Sequence, residues 1–383
     1  MTSEVRFERL PCEDGSAIGV ITLAVPRKLN ALSLSMSEQI EHSLRAWQHD
    51  PEIRLVWIQG EGEKAFCAGG DIVKLYESMV ASTGTRNAYA EHFFAQEYQL
   101  DYLIHTYKKP LVCFGRGIVM GGGFGLFAGA AIRLVTTDSL LAMPEISIGL
   151  YPDVGASWFL PRVPGKLGLF MALTGARISA ADAIKAGLAD RFMGQQQPQV
   201  LLEALAAIAW SENPAEHLAQ AKDCLLGLSL DYSQEPSPLF ALAQAINSVL
   251  DQPGQQQQWQ ALLDAPALSE TFDTSLQQWW SQSLETARKG CPGTAALVFA
   301  IHARGRHWSL AQAFRQELAL SVNCCRLGEF QEGVRALLID KDKQPAWQFS
   351  TLEAVPEGWV DGHFSVPWQK HEDPLRFSIP ADA

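Results

Sequence analysis

The chain has 383 residues, 47% of them hydrophobic and 19% charged, with 30 Lys and Arg against 42 Asp and Glu for a formal net charge of −12. That composition belongs to a folded globular protein with ample chain for a sizeable core, which excludes extensive disorder and fibrous repeats. An acidic balance without a dense Lys/Arg run repels a phosphate backbone, so nucleic acid is not an expected partner.

The amino terminus, MTSEVRFERLPCEDG, has neither the apolar core of a secretory signal nor the basic, acid-poor character of a transit peptide, and a cytoplasmic location is the expectation. The seven cysteines are odd in number, scattered and free of any C-x-x-C pair. They suit a reducing compartment rather than a disulfide framework or a zinc site. The longest uncharged stretch, Gly117 to Ile132, is too short and too rich in glycine to span a membrane, so no membrane segment is expected.

Along the chain, IGVITL (Ile18 to Leu23) is a buried-strand run. Ser35 and Glu38 form an S-x-x-E capping box before a helix carrying Ile40, Leu44 and Trp47, and IRLVWI (Ile53 to Ile58) is the next strand. LVCF (Leu111 to Phe114) and IRLV (Ile132 to Val135) are further strands, separated by a glycine-rich turn and a short helix beginning near Gly122. Alternation of this kind predicts an α/β fold. Lys166 to Thr174 reads as a helix with Gly175 at its C-cap, and Ser179 caps AADAIKAG, which ends at Gly187. Near residue 193 the character changes at the polar spacer GQQQPQ, and the remainder is rich in Ala, Leu and Gln, with Gln255 to Gln258 marking a loop or a helix start. Residues 1–193 are expected to form the core domain and 194–383 a mainly helical region.

Three segments could carry chemistry, all in the first half. In KAFCAGGDI (Lys64 to Ile72) a strand end runs into Gly69 and Gly70 before a helix opening at Asp71, and in VMGGGFGL (Val119 to Leu126) a triple glycine starts a helix. Adjacent glycines let backbone N–H groups approach a ligand, and two such donors on one oxygen make an oxyanion hole, although either cluster also reads as a plain tight turn. The third segment, LAMPEISIGLYPDVGASWFLPR (Leu141 to Arg162), is apolar apart from two carboxylates, Glu145 after Pro144 and Asp153 after Pro152. Apolar surroundings raise a carboxylate pKa and suit it to proton transfer, while acids after proline also cap helices and turns. The nine histidines show no H-E-x-x-H spacing, there is no G-x-S-x-G elbow, and GRGIVMGGGFG lacks the acidic residue of a dinucleotide fingerprint. HARGRH, with His302 and His307, reads as a solvated helix face.

Taken together, KAFCAGGDI, GIVMGGGFGL, MPEISIGLYPDVGASWFLPR, LTGARISAADAIKAGLAD and the carboxy-terminal NCCRLGEFQEGVRALLIDKDKQPAW resemble the enoyl-CoA hydratase/isomerase (crotonase) superfamily, and within it the branch that hydrolyses 3-hydroxyacyl-CoA thioesters. The resemblance covers nearly the whole chain, least clearly from about 195 to 285. It implies a crotonase-like spiral of strand-strand-helix units followed by a helical carboxy-terminal region. It also implies an oxyanion hole from the N–H groups of Gly70 and Gly122, catalytic roles for Glu145 and Asp153, and a substrate-binding role for Glu97 in FFAQEYQL. Hydratases of the family use a second glutamate where this chain has Gly125, a departure that speaks against hydration. The implied activity is hydrolysis of a short 3-hydroxyacyl-CoA thioester, foremost 3-hydroxyisobutyryl-CoA in valine breakdown. No metal or redox cofactor is implied, since coenzyme A belongs to the substrate, and homo-oligomers are common in the superfamily. Arg27 and Lys28 in PRKLNALS either meet coenzyme A phosphates or are solvated loop charges. The competing readings are an enoyl-CoA hydratase or isomerase and a non-catalytic acyl-CoA-binding protein.

Overall fold

Short apolar runs bounded by turn residues become strands in the computed structural model, which describes residues 3–82, 86–369, 372–375 and 377. The strands are β1 (Val5–Pro11), β2 (Ala17–Leu23), β3 (Ile53–Gly60), β4 (Ala65–Cys67), β5 (Leu111–Gly115), β6 (Ile118–Met120), β7 (Ile132–Val135), β8 (Leu140–Ala142), β9 (Ile178–Ser179) and β10 (Arg191–Phe192). They form a six-stranded sheet in the order β1-β2-β3-β5-β7-β10 and a four-stranded sheet in the order β4-β6-β8-β9. Every pairing in the larger sheet is parallel except β1 with β2. All seven residues of β2 are buried, the environment that an uninterrupted apolar run requires.

The topology follows a repeat. β3 and β4, β5 and β6, and β7 and β8 are successive strand pairs, and in each the first strand joins the larger sheet and the second the smaller. The pairs β3–β4 and β5–β6 lead into helices α2 (Ile72–Ala81) and α4 (Gly122–Ala128), which makes the strand-strand-helix unit expected of the spiral. α1 (Leu34–His49) precedes the first of these units, and α3 (Ala88–His105) lies between them. Among the described residues no strand follows β10, and the rest of the chain is helical, as its Ala, Leu and Gln content predicts.

The chain divides into two compact units that alternate in sequence: Met1–Gly70, Leu100–Leu141 and Ile178–Ser237 form the first, and Asp71–Gln99, Ala142–Arg177 and Pro238–Ala383 the second. The first has a core in which Ile18, Val20, Leu55, Trp57, Val112 and Phe114 of the larger sheet cluster with Leu201, Leu205, Trp210 and Leu225. In the second, Phe170 stacks on Trp280 with centroids 5.7 Å apart and planes 6° from parallel. Helix Leu167–Thr174 ends at left-handed Gly175 as the sequence predicts. Ser179 makes a full capping box with Asp182.

One capping expectation is corrected. The N-cap of α1 is Ser33, whose hydroxyl accepts from Met36 N at 3.2 Å. Ser33 is extended at φ −88 and ψ 158 while Leu34 is already helical, so Ser35 falls inside the first turn and cannot cap it. The alternating charged and apolar residues of the amino terminus form β1, with Val5 buried and Phe7 half-buried between exposed Arg6 and Glu8, as in a half-covered strand.

The close approach of α4 to β4 depends on Gly123, where a Cβ would stand 2.3 Å from the Cys67 carbonyl oxygen. Gly123→Ala is expected to lower stability by about 1–3 kcal/mol through overpacking. Urea unfolding measures this, and an unchanged midpoint would show that α4 does not rest on β4.

Candidate active site

In the first unit the two glycine clusters come together because the strands that feed them are neighbours. β4 and β6 pair in parallel, Ala65 with Ile118 and Cys67 with Val119, so both strands leave the small sheet at the same end. One continues into Gly69 and Gly70, the other into Gly121 and Gly122. Gly69 has φ +121, and a Cβ on it would lie 3.7 Å from Met120 O and 4.0 Å from Gly121 Cα, which puts one turn against the other. The 69–70 turn is also held from behind: Leu32 N donates to Gly69 O at 2.8 Å and Ala68 N to Leu29 O at 3.0 Å. Leu29 and Asn30 there are left-handed, at φ 53 and 55. The buried Asn30 amide fixes this backbone by donating to Ala65 O at 2.9 Å and Glu61 O at 3.1 Å and accepting from Val25 N at 3.0 Å.

Gly122 is the first residue of α4, behind Gly121, which supplies no side-chain cap. Phe124 N closes the first turn by donating to Gly121 O at 2.7 Å, and the N–H groups of Gly122 and Gly123 ahead of it have no acceptor within the helix, at its positive end. Gly125, the position where the resemblance implies a glutamate in hydratases, is buried inside the same helix.

The carboxylates lie in the second unit. Glu145 opens a short 3-10 turn, Glu145–Ile148, and is 5% exposed. That turn is clamped by the helix Glu329–Val334: a Cβ on Gly149 would be 2.3 Å from Glu329 O, and one on Gly333 would be 2.3 Å from Ile148 O. Oε2 of Glu145 has no hydrogen-bond partner. Asp153, also 5% exposed, precedes a strained turn in which Val154 takes φ 52, a left-handed value that is uncommon for a β-branched residue. Glu97 on α3 is buried with Oε1 unpartnered.

Sequence reasoning missed the residues that hold this turn. Glu317, on the helix Leu310–Arg326, is fully buried and accepts from Gly155 N at 2.8 Å and Ser157 N at 3.0 Å, the start of α5 (Ala156–Phe159). The Tyr98 hydroxyl donates to Asp153 Oδ2 at 2.6 Å and meets Ser321 Oγ at 2.7 Å. Ser321 Oγ is 2.8 Å from the Tyr151 hydroxyl, which donates to the Glu317 carbonyl at 2.7 Å. A signal was present in FRQELALSVNCC: helical spacing puts Glu317 and Ser321 on the same face as Phe314, Leu318 and Cys325, and a polar residue on such a face needs a buried partner.

Burial pushes all four carboxyls upward. Asp153 rises to about 6, pulled back by the Tyr98 hydroxyl, and Glu317 to about 8, pulled back by the N–H groups it accepts from. Glu145 stands well above the usual range through burial and the charges of Asp153 and Glu97, and Glu97 likewise through burial and the charges of Asp153 and Glu317. Like charges in an apolar setting cannot all ionise together, so the cluster retains protons near neutrality. A separate cleft of about 670 Å³ in this unit, lined by Thr174, Arg177, Trp279, Gln282 and Arg288 among others, contains none of the four. His302 is half-buried with its pKa lowered to about 4 by burial, which corrects its reading as part of a solvated face.

A spiral of strand-strand-helix units with glycine turns at the edge of its small sheet and buried carboxylates on the following loops defines a crotonase-type protein. The chain belongs to the enoyl-CoA hydratase/isomerase family, whose model matches residues 18–364. Among its relatives is the mitochondrial 3-hydroxyisobutyryl-CoA hydrolase of Danio rerio, 39% identical over 367 residues that cover 95% of this chain and 90% of that one. The mitochondrial hydrolase of the same name from Homo sapiens is 36% identical over 94% of this chain and 88% of its own. Two solved structures share the fold: an enoyl-CoA hydratase from Rhodobacter sphaeroides (34% identity, TM-score 0.77, 95% and 97% of the two chains) and a carnitinyl-CoA dehydratase from Mycobacterium thermoresistibile (31%, 0.79, 94% and 96%). These relatives also correct the cytoplasmic expectation, since the hydrolases are named as mitochondrial. No helix among the described residues is long and apolar enough to cross a membrane.

Glu97 offers a test of the electrostatics. A carboxyl whose pKa is raised on folding costs stability progressively as pH climbs above its ordinary unfolded value and up to its folded pKa, and an amide does not. Glu97→Gln should therefore raise the melting temperature more at pH 8 than at pH 5, with a gain on the order of 1–3 kcal/mol at the higher pH. An equal change at both pH values, read by scanning calorimetry, would show that Glu97 is not protonated by burial.

Proposed function

We propose that this protein hydrolyses a short 3-hydroxyacyl-CoA thioester, with 3-hydroxyisobutyryl-CoA giving 3-hydroxyisobutyrate and CoA as the principal reaction, a step of valine breakdown. The observation that carries the reading is the pair Glu145 and Asp153, buried and electrostatically linked, in a chain whose α4 has Gly125 at the position of the hydratases' second glutamate. Its relatives named as 3-hydroxyisobutyryl-CoA hydrolases support the choice of substrate.

In this reading the N–H groups of Gly70 and Gly122 hold the thioester carbonyl oxygen and take up the charge that develops there. Glu145, with Oε2 unpartnered, promotes attack on the thioester carbon. Asp153 assists at the departing sulfur, and Glu97 lines the acyl end. Backbone donors and carboxylates supply the whole of this chemistry, and the proposed reaction uses no metal or redox cofactor.

Glu145→Gln should reduce thiol release from 3-hydroxyisobutyryl-CoA by about a hundredfold or more, because the amide cannot act as base or nucleophile. Retention of the full rate by this variant contradicts the assignment. The active form carries one proton between Glu145 and Asp153, so kcat/KM against pH should be bell-shaped with both limbs above the ordinary carboxylate range, the limbs belonging to the pair. An alkaline limb that persists unchanged in Asp153→Asn would count against the pair.

A further inference from the structure

Between the end of helix Leu167–Thr174 and helix Thr274–Lys289 opens the cleft of about 670 Å³ that holds none of the four buried carboxyls. Its charged lining is two arginines, Arg177 and Arg288, and one carboxylate, Glu285, which is already paired with Lys289 Nζ at 2.8 Å. Arg177 is exposed and has no ion pair among the described residues. Arg288 is braced by backbone acceptors, Nε on Leu263 O at 2.9 Å and Nη2 on Ala265 O at 3.3 Å, which leaves Nη1 for a ligand. A chain of net charge −12 thus gathers positive charge in this cleft, and guanidinium forks fit phosphate oxygens. Trp279 is built into the same lining: its indole N–H donates to Arg177 O at 2.6 Å, and its ring rests on Phe170 with centroids 5.8 Å apart. Being half-buried, it offers a rigid aromatic surface beside the arginines, and exposed Gln282 adds an amide that both donates and accepts. Size decides between occupants. Pockets of roughly 300–1,000 Å³ take ligands well beyond the size of a short hydroxy acid, which would fill only a small part of this one.

We propose that this cleft is a regulatory site for a mononucleotide, with the phosphate on Arg177 and Arg288, the base on Trp279 and Gln282 at the base edge, and that its occupancy raises the rate of the reaction at Glu145. The effect on rate rests on the reading of Glu145 as a catalytic residue, whereas the binding does not. The two walls of the cleft are the elements that flank that glutamate. A Cβ on Gly175 would stand 3.0 Å from Pro144 Cα, so the end of helix Leu167–Thr174 bears on the residue before Glu145. At the end of the other wall, a Cβ on Gly290 would stand 2.9 Å from Ile146 Cγ1, and Cys291 N donates to Ile146 O at 3.1 Å, so helix Thr274–Lys289 bears on the residue after it. A nucleotide that bridges Arg177 and Arg288 binds the arrangement in which both walls are docked, and it shifts the population toward the ordered Glu145 turn by its preference for that arrangement.

Calorimetric titration of the full chain with AMP tests the site. One saturable event is expected, weakened about tenfold or more by Arg177→Ala and unchanged by Arg45→Ala, an exposed arginine on α1. Inorganic phosphate should bind about tenfold more weakly than AMP, the share of a base stacked on Trp279. Gln282→Ala, an exposed position, should weaken AMP and leave phosphate as it was, which keeps the test open if Arg177→Ala does not fold. In thiol release from 3-hydroxyisobutyryl-CoA, saturating AMP should raise kcat in the wild type, an increase lost in Arg177→Ala. Equal AMP affinity in wild type and Arg177→Ala, with displacement by CoA, would place the nucleotide at the acyl-CoA site and overturn the proposal. Equal affinity for AMP and phosphate would overturn it too, as would a kcat that bound AMP leaves unmoved. The titration requires no turnover, so a protein that binds AMP through Arg177 and releases no thiol counts against the hydrolase reading and leaves the nucleotide site standing.

Discussion

The second unit is organised by the cost of placing charge where water cannot reach it. Glu97, Glu145, Asp153 and Glu317 are each no more than 5% exposed, and an ionised carboxylate in such a place costs several kcal/mol unless it is compensated. Glu317 is compensated by two backbone N–H groups, Asp153 is tied to a chain of hydroxyls, and Glu145 and Glu97 each keep an oxygen without a partner. The strained Val154 persists because Glu317 fixes the backbone just beyond it, and the Glu145 turn persists because Gly149 and Gly333 admit a helix backbone at close range. Burial is the leading cause that raises the pKa of all four, and groups shifted in this way can exchange protons near neutral pH.

The first unit contributes a different resource, backbone donors at the start of α4 and beside Gly69. Parallel pairing of β4 with β6 brings the glycine turns side by side, and the left-handed pair Leu29 and Asn30 supports one of them from the rear. Gly125 is buried inside α4, so this helix brings no carboxylate, and the buried acids Glu145 and Asp153 lie instead on the loops after β8.

Much of this was legible in the sequence, for physical reasons that differ by residue. The runs at Ile18, Ile53, Leu111 and Ile132 declared themselves as strands because buried parallel strands are short, mostly apolar runs, here broken by Arg54 and Arg133. Glu145 and Asp153 stood out because each carboxylate sits in an apolar segment just after a proline. Ser35 misled because a capping box one turn long can be read two residues out of place when Ser33 has the same chemistry. Glu317 and Ser321 were not read because what they do depends on partners far along the chain, 223 residues in the case of Tyr98 and Ser321. The interleaving of the two units was equally invisible, since composition changes near residue 193 while the compact units exchange segments before and after that point.

The most direct test of the account is to follow thiol release from 3-hydroxyisobutyryl-CoA and hydration of crotonyl-CoA in parallel with the same purified protein. A chain with Gly125 in α4 and the pair Glu145 and Asp153 on its loops should release thiol and leave crotonyl-CoA unhydrated. Hydration without thiol release would contradict the account, because it would show that Glu145 alone sustains the chemistry that Gly125 is taken to have abolished.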